Sequence, residues 1–426
     1  MPRAAERRRA RRRIAAAVGA LLVGAAAGPA VAQRPPVIAV SPAGPVRTIT
    51  EAVRLARPGA RIVVGPGVYR EPTILVDRPV EIVGDDFPVL DGAGERQIMT
   101  VTANGVVVRG LRFRDVGASY VEDRAAIKVV DATDCVIEGN RFEETFFAVY
   151  LAQVTRCRVA GNTITGTGRS ESNTGNGIHL WTSREVTITG NEVHGHRDGI
   201  YLEFSRASEV RDNVSEGNLR YGLHFMYTDS CRYDRNVFAN NSAGVAVMYS
   251  KVVAMDGNRF ERNWGPSRYG LLLKEIADAR ITGNTFAGNS TALLVDGTDR
   301  MVVDGNDFLA NGWAIRLRAS AQDSRFTANN FIGNSFDVTT NSRQSYSTFA
   351  GNHWDAYRGY DLDRDGVGDV PFRPVRLFSL LVERYPATLA LLRSLLVDLL
   401  DAAERVIPSL TPEELMDASP AMRRLS

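Results

Sequence analysis

The chain has 426 residues, of which 44% are hydrophobic and 23% are charged, and this composition excludes wholesale disorder. The formal net charge is +2, but seven arginines and one glutamate fall within the first 32 residues. The remaining 44 basic and 48 acidic residues give a net charge of −4, which does not favour nucleic acid as a partner.

Residues 1–32 are typical of a secretory signal peptide. Arginines are concentrated in residues 1–13, residues 14–27 are apolar and uncharged, and Ala30-Val31-Ala32 precedes Gln33. This order predicts export with cleavage near Ala32, by either the Sec or the twin-arginine route. The alternative is a membrane anchor, for which the apolar run is short.

Residues 33–60 are predicted to form an N-terminal cap. Thr48 and Glu51 have the spacing of a capping box, and the apolar residues that follow predict a short amphipathic helix before Pro58-Gly59. A helix at this position would cover the first open turn of a repeat structure.

Residues 61–354 contain a repeat of about 22 residues, in which short stretches of alternating apolar residues precede an asparagine. The repeat asparagines are Asn140, Asn162, Asn191, Asn213, Asn236, Asn258, Asn284, Asn306, Asn329 and Asn352. Short strands that recur at this interval without helices between them cannot form βαβ units. The pattern therefore predicts an all-β solenoid, a right-handed parallel β-helix, and a propeller would need about twice this period.

The asparagines are expected to take the left-handed backbone of a tight corner and to stack their side-chain amides down a column. The three cysteines, Cys135, Cys157 and Cys231, each lie five residues before a repeat asparagine, in an inward column. We expect buried thiols at these positions, with a soft-metal site at Cys135 and Cys157 as the alternative.

A second column begins at Ala148, Gly177, Gly199, Gly222 and Gly244, and the residues two and four positions later are predicted to point away from the core. These outward residues are Tyr150, His179, Tyr201, His224 and Ala246, then Trp181, Glu203, Met226 and Met248. Thioether and imidazole groups suit Cu(I), so the sequence predicts a copper site formed by His224, Met226 and Met248 with His179 and Glu203. His194 and His196 are further candidates, and the alternative is an apolar patch that docks a partner or packs under a loop.

Residues 355–375 form an acidic linker that resembles a calcium loop. Asp361, Asp363, Asp365, Val367 and Asp369 match positions 1, 3, 5, 7 and 9, while position 12 is Phe372 instead of the usual glutamate. We expect structural calcium here, and the alternative is a solvated acidic turn.

Residues 376–426 are predicted to form an amphipathic helical tail that Pro386 divides in two. Leucines from Leu392 to Leu400 share one face with Ala403 and Ile407, and the charges are too frequent for a membrane span. We expect the tail to dock a partner, with a plain cap or a membrane surface as alternatives.

Three features of the sequence resemble the NosD family: the asparagine repeat, the leucine-rich tail and one C-terminal stretch. That stretch contains Gly351-Asn352-His353-Trp354, followed by Tyr357, Tyr360-Asp361, Gly368-Asp369 and Pro371-Phe372. The resemblance implies a periplasmic right-handed β-helix that associates with the membrane subunits of an ABC transporter. It also implies a role in building the copper–sulfide centre of nitrous oxide reductase, with copper supplied by a chaperone lipoprotein. It assigns no copper ligand.

Two other functions remain open from the sequence. A β-helix enzyme acting on acidic polysaccharides needs clustered outward carboxylates, and Glu203 is the one acid among the outward positions named above, so we expect no enzyme activity. A carbohydrate-binding module would use Trp181, Tyr150 and Tyr201 as stacking surfaces.

Overall fold

The computed structural model describes residues 36–425 except 120, 169, 266–267, 343–345, 408–410 and 412–414. The predicted signal peptide lies outside these residues. The described chain coils through three parallel β-sheets, and each strand pairs with the equivalent strands of the neighbouring turns, here called rungs. This confirms the prediction of a parallel β-solenoid.

The first sheet has 14 strands: Val37–Val40, Ala60–Val64, Val80–Gly84, Val107–Arg109, Val136–Glu138, Arg158–Ala160, Thr187–Thr189, Glu209–Arg211, Arg232–Asp234, Ala254–Asp256, Arg280–Thr282, Val302–Asp304, Arg325–Thr327 and Thr348–Ala350. The second has 13: Val68–Tyr69, Val89–Asp91, Arg112–Arg114, Arg141–Glu143, Thr163–Thr165, Glu192–His194, Val214–Glu216, Val237–Ala239, Arg259–Glu261, Thr285–Ala287, Asp307–Leu309, Asn330–Ile332 and His353–Trp354. The third has 12: Ile74–Val76, Met99–Val101, Ala125–Val130, Phe147–Ala152, Ile178–Trp181, Asp198–Glu203, Tyr221–Met226, Ala243–Met248, Tyr269–Lys274, Thr291–Asp296, Trp313–Leu317 and Phe336–Thr340.

The core consists of like side chains stacked on successive rungs, because parallel pairing in register places equivalent residues above one another. Phe260, Phe286, Phe308, Phe331 and Trp354 form one such stack, with ring centroids 4.1–4.9 Å apart. All five are fully buried. Offset aromatic contacts of this kind add to the free energy gained by burial.

The repeat asparagines form the predicted ladder. From Asn140 to Asn352, the backbone N–H of each asparagine donates to the side-chain oxygen of the next at 2.8–3.0 Å. A second ladder lies five residues further along the rungs from Asn213 to Asn329, at Asn218, Asn241, Asn263, Asn289, Asn311 and Asn334. The sequence analysis missed this second ladder, although its five-residue offset from the first is regular.

The prediction that the ladder asparagines adopt the left-handed conformation is wrong. The residue before each asparagine does so instead, as at Gly139 (φ 60°), Gly161 (φ 58°) and Arg235 (φ 50°). The asparagine side chain must point inward to reach its neighbours on the ladder, so the corner falls one residue earlier.

The prediction of free thiols at Cys135 and Cys157 is also wrong. The two residues lie on adjacent rungs, as expected, with Cα atoms 4.6 Å apart, but they form a disulfide. The disulfide excludes the alternative of a thiolate metal site at this pair. Cys231 is free and buried, and burial raises the pKa of its thiol to about 12.

The N-terminal end contains helix α1 (Ile49–Leu55), as predicted. The backbone N–H of Glu51 donates to Thr48 Oγ1 at 3.1 Å, and the Glu71 carboxylate accepts from the backbone N–H groups of Ile49 and Thr50. These bonds satisfy the free donors of the first turn. The first strand, Val37–Val40, lies within the segment that was predicted to be cap only.

The C-terminal end contains α2 (Leu377–Arg384), a 3₁₀ helix (Pro386–Leu391) and α3 (Leu395–Val406), so the predicted break at Pro386 is confirmed. The tail is not helical to its end, because residues 415–425 return to the last rungs. Asp417 accepts hydrogen bonds from the Asn352 backbone N–H and side-chain amide and from Trp354 Nε1, which terminates the first ladder. No helix of the described residues is long and apolar enough to cross a membrane.

Candidate functional site

The candidate copper residues lie on the outward side of the third sheet, on the rungs from Ile178–Trp181 to Ala243–Met248. The predicted register is confirmed, because His179, Tyr201, His224 and Ala246 are successive partners, and so are Trp181, Glu203, Met226 and Met248. The sheet therefore places His224, Met226 and Met248 on two adjacent rungs.

The outward histidines and tyrosines form a continuous stack. Ring centroids are 4.7 Å apart from Tyr150 to His179, 4.8 Å from His179 to Tyr201 and 4.5 Å from Tyr201 to His224. His179 and His224 therefore pack against Tyr201 from the rungs on either side of it. The structure separates the two histidines that the sequence analysis grouped together.

This stack points away from the core, as predicted, but it is buried, which the sequence analysis did not expect. Tyr150 and Tyr201 are only 6% and 8% exposed. Residues outside the strands contact the stack: the Asn176 side chain lies 3.1 Å from His179 Nδ1, and Asp123 forms a hydrogen bond with Tyr150. The pKa of His179 is lowered to about 3, and burial is the largest cause of this shift.

The burial of Tyr150 and Tyr201 contradicts the suggestion that they form a sugar-stacking surface. A sugar ring needs an open aromatic face, and both faces of Tyr201 are covered by histidine rings. Trp181 is the exposed member of that suggested set.

Met226 and Met248 are direct partners on adjacent strands, and each is half-buried. Tyr201 Oη lies 3.5 Å from Met226 Sδ, so the aromatic stack touches the methionine pair. Glu203 pairs with Met226 in register, and its carboxylate lies 4.0 Å from His179 Nε2. Met226 and Met248, here called the methionine edge, therefore lie on the strand of His224 and on the next strand, while Glu203 contacts His179 on the two preceding rungs.

His194 and His196 do not join this group. His194 belongs to the second sheet, and its Nδ1 lies 3.5 Å from Glu216 Oε1. The backbone N–H of His196 donates to Asn218, so His196 begins the second asparagine ladder. Burial lowers the pKa of His196 to about 4.

Asp198 is a site residue that the sequence analysis missed. Its fully buried carboxylate lies 3.2 Å from Arg220 Nε, 3.9 Å from Arg197 Nε and 3.6 Å from His224 Nδ1. It precedes the column glycine Gly199, where strand alternation predicts an inward side chain. The acidic residue at this inward position could have identified the site from the sequence, because an acid is rarely fully buried without partners.

An exposed aromatic ladder borders the methionine edge. The rings of Phe204, Tyr227 and Tyr249 stack with centroids 5.2 and 5.1 Å apart, and all three are exposed. Tyr227 and Tyr249 directly follow Met226 and Met248 in the chain. This apolar surface keeps open the alternative that the methionine edge contacts a partner protein.

The donors at the methionine edge fit a soft cation. His224 Nε2 is buried and has no hydrogen-bond partner among the described residues, and Met226 on the same strand and Met248 on the next strand are only half-covered. Cu(I) accepts imidazole and thioether ligands and few of them. The donor set therefore suits Cu(I) better than a hard cation.

The acidic linker brings oxygen atoms together. Asp361, Asp363 and Asp365 place carboxylate atoms within 4.8 Å of one another, and no other such group of three His, Cys, Asp or Glu occurs in the described parts of the chain. The backbone N–H of Gly366 donates to Asp361, and that of Val367 donates to Asp365. Phe372, at position 12, packs against Trp354 and offers no carboxylate.

The helical tail packs one face against the solenoid and leaves the other face uncovered. Phe378 and Val382 of α2 pack against Phe336 of the last third-sheet strand, and Glu383 forms ion pairs with Arg316 and Arg318. In α3, Val397 and Leu400 pack against this cluster. The exposed large apolar residues of α3 and its C-cap are Leu395, Leu396, Leu399, Val406 and Ile407.

Comparison with known proteins supports the family resemblance. Residues 161–359 match the family described as periplasmic copper-binding protein (NosD), and residues 39–259 match a family described as a protein of unknown function (DUF1565).

Two curated relatives carry the name "Probable ABC transporter binding protein NosD". The one from Pseudomonas aeruginosa is 31% identical over 376 residues, which is 82% of this chain and 85% of that protein. The one from Stutzerimonas stutzeri is 27% identical over 365 residues, which is 82% and 84% of the two chains.

Among solved structures, PfbA, a surface adhesin of Streptococcus pneumoniae, has a TM-score of 0.56 at 10% identity, covering 68% of this chain and 87% of that one. At this identity the likeness concerns the fold alone. The relative from Pseudomonas aeruginosa, together with the matching family model, shows that this chain belongs to the NosD family.

Proposed function

We propose that this chain is a periplasmic accessory protein that helps to assemble the copper–sulfide centre of nitrous oxide reductase. The observation that carries the proposal is the methionine edge, where His224, Met226 and Met248 offer soft donors on adjacent rungs. The description of the family as periplasmic copper-binding supports it. Copper is the cargo in this proposal, supplied by a chaperone lipoprotein.

The chemistry asked of the chain is binding and release of Cu(I). Two thioethers and one imidazole hold Cu(I) without favouring hard cations such as Mg²⁺ or Ca²⁺. Because both methionines are half-buried, a donor or acceptor protein can reach them and exchange ligands directly. Glu203 lies one rung away and would act on the site through Met226, and His179 lies two rungs away and would act through Tyr201.

The proposal is tested on the client enzyme. The gene is deleted in its host, and nitrous oxide reductase is purified and analysed for copper content and visible spectrum. We expect the copper–sulfide centre to be missing while other copper sites persist, and restoration by the wild-type gene but not by a gene with Met226→Leu and Met248→Leu. A fully loaded reductase in the deletion strain would contradict the maturation role.

The tail is proposed to dock on the membrane subunits of an ABC transporter. The names of the two NosD relatives support this partner, and the uncovered leucines of α3 supply an apolar surface for it. Glu383 and the aromatic cluster around Phe378 fix the tail to the solenoid, so the docking surface has a defined position.

Structural calcium in the acidic linker remains a proposal. Asp361, Asp363, Asp365 and Asp369, with the Val367 carbonyl, would supply the oxygens, and position 12 would need a ligand other than Phe372. We expect calcium to raise the melting temperature of the purified chain, and Asp363→Asn to remove the increase. An equal melting temperature in calcium and in chelator would exclude the site.

A further inference from the structure

A histidine binds a metal only through a ring nitrogen that carries no proton, so in the neutral ring the proton must lie on the other nitrogen. In His224, Nε2 has no hydrogen-bond partner among the described residues, while Nδ1 faces two charged side chains. The groups around Nδ1 therefore decide whether Nε2 is available to a metal.

Arg220 contacts Nδ1 from one side. Its Nη2 lies 3.3 Å from His224 Nδ1, and its guanidinium group stacks on Tyr221 at 4.7 Å. A guanidinium N–H can only donate, so this contact makes Nδ1 an acceptor. The ring proton then lies on Nε2, and the ring cannot bind a metal there.

Asp198 faces Nδ1 from the other side. Its Oδ2 lies 3.6 Å from Nδ1, a few tenths of an ångström beyond a hydrogen bond. A carboxylate can only accept, so a small approach would favour a proton on Nδ1 and leave Nε2 bare. Carboxylates that orient metal-binding histidines in this way are common in protein metal sites.

The site holds both groups close to the ring. Asp198 is fully buried and lies between Arg220 and Arg197, so its charge is balanced, while neither of its carboxylate oxygens has a hydrogen-bond partner among the described residues. Tyr201 stacks on His224 with an interplanar angle of 10°, which limits rotation of the imidazole. Hydrogen bonds in such a buried setting are stronger than in water.

We propose that Arg220 and Asp198 are positioning residues that set the tautomer of His224. In the empty chain Arg220 holds the proton on Nε2, and when Cu(I) binds at Nε2 Asp198 accepts a hydrogen bond from Nδ1–H. The ring releases the Nε2 proton to solvent, takes up a proton from solvent on Nδ1 and gives up its contact with Arg220, so its charge is unchanged and no electron moves. This inference rests on the proposed copper function of the same site.

The first test needs no variant. The full-length mature chain with ¹⁵N-labelled histidine is studied by NMR, empty and loaded with Cu(I). We expect the His224 pattern of an Nε2-protonated ring in the empty chain and of an Nδ1-protonated, Nε2-bound ring in the loaded chain. An Nδ1-protonated ring in the empty chain, or an unchanged tautomer on loading, would overturn the proposal.

The second test uses Cu(I) competition titrations. Asp198→Asn is expected to weaken Cu(I) binding by roughly 10- to 100-fold, as is typical of groups that orient metal ligands. Arg220→Leu is expected to shift the empty ring toward Nδ1–H and to bind Cu(I) at least as tightly as the wild type. The matched control is Asp212→Asn, which removes an exposed aspartate paired with Arg235 and should change neither result.

Two outcomes separate this inference from the copper proposal itself. If His224→Ala binds Cu(I) as tightly as the wild type, both are wrong. If His224→Ala loses affinity while Asp198→Asn keeps it, the copper site stands and the positioning role is wrong. Should Asp198→Asn fail to fold, the wild-type NMR measurement decides.

Discussion

Met226 and Met248 are the side chains whose loss is expected to change copper binding without changing the fold. Leucine has a similar volume, so replacing both with leucine keeps the packing and removes the two sulfurs. We expect Met226→Leu with Met248→Leu to weaken Cu(I) binding by roughly tenfold or more, because a soft cation loses its thioether ligands. The measurement is a competition titration with a Cu(I) chelator.

The matched control is Met255→Leu, because Met255 lies in the core of the first sheet and is fully buried. This variant should bind Cu(I) like the wild type. Equal affinity of the double variant and the control would show that copper binds elsewhere or not at all.

At the scale of residues, the sequence predicts well which side chains stack on adjacent rungs, and it predicts poorly which outward side chains are buried. The neighbours of Met226 and His224 follow from the repeat interval alone, because each rung places equivalent residues together. The burial of Tyr201 depends on histidines and loops from other rungs, and no local pattern encodes it. The disulfide at Cys135 was missed for a related reason: adjacency follows from spacing, but bonding does not.

The contact region between the solenoid and α2 contains an ionisable residue, Asp337. Asp337 borders a cavity of about 70 Å³ together with Asp355, Arg376 and Ser379. Burial, followed by the charge of Asp355, raises the pKa of Asp337 to about 7. The folded chain therefore holds a proton that the unfolded chain releases between about pH 4 and pH 7.

This proton makes the stability of the folded chain depend on pH. Since the folded state binds the proton more tightly, the contribution of Asp337 to stability falls as pH rises from about 4 to 7 and is constant above that range. We expect Asp337→Asn to reduce the loss of melting temperature between pH 5 and pH 8. Asp323→Asn, at an exposed aspartate, is the control, and a dependence identical to that of the wild type in Asp337→Asn would contradict the assignment.

The tail is an element with one face anchored and one face free. Leu395 and Leu399 are 73% and 58% exposed, so Leu395→Glu with Leu399→Glu should leave the fold and melting temperature nearly unchanged. We expect this variant to lose copurification with the transporter subunits, because it places charge on an apolar contact surface. Asp398→Asn, on the same helix, should keep it.

The sequence predicted the helices of this tail and their division at Pro386, because the apolar period and the proline are local signals. It did not predict that residues 415–425 return to the last rung. That return depends on Asp417 reaching Asn352, and the two residues are 65 positions apart.

On the scale of the whole molecule, the rung is the unit of construction. Deletion of residues 285–306 removes one rung and joins Asn284 to Asp307, so both asparagine ladders can close in register. We expect a folded chain with similar circular dichroism and unchanged Cu(I) affinity, because the methionine edge lies on earlier rungs. Deletion of residues 285–295, which is half a rung, should prevent folding. A folded product from this deletion would contradict the view that the rung is the unit of construction.

The ladders also set the distance between the methionine edge and the strand on which α2 packs in whole rung steps. Four rung steps separate Ala243–Met248 from Phe336–Thr340, the strand on which α2 packs, and at about 4.8 Å each they span about 19 Å. Because the backbone of every rung donates hydrogen bonds to the next rung, the distance between the methionine edge and α2 changes only by whole rungs. One rung is therefore the smallest amount by which the distance between these two parts of the protein can change.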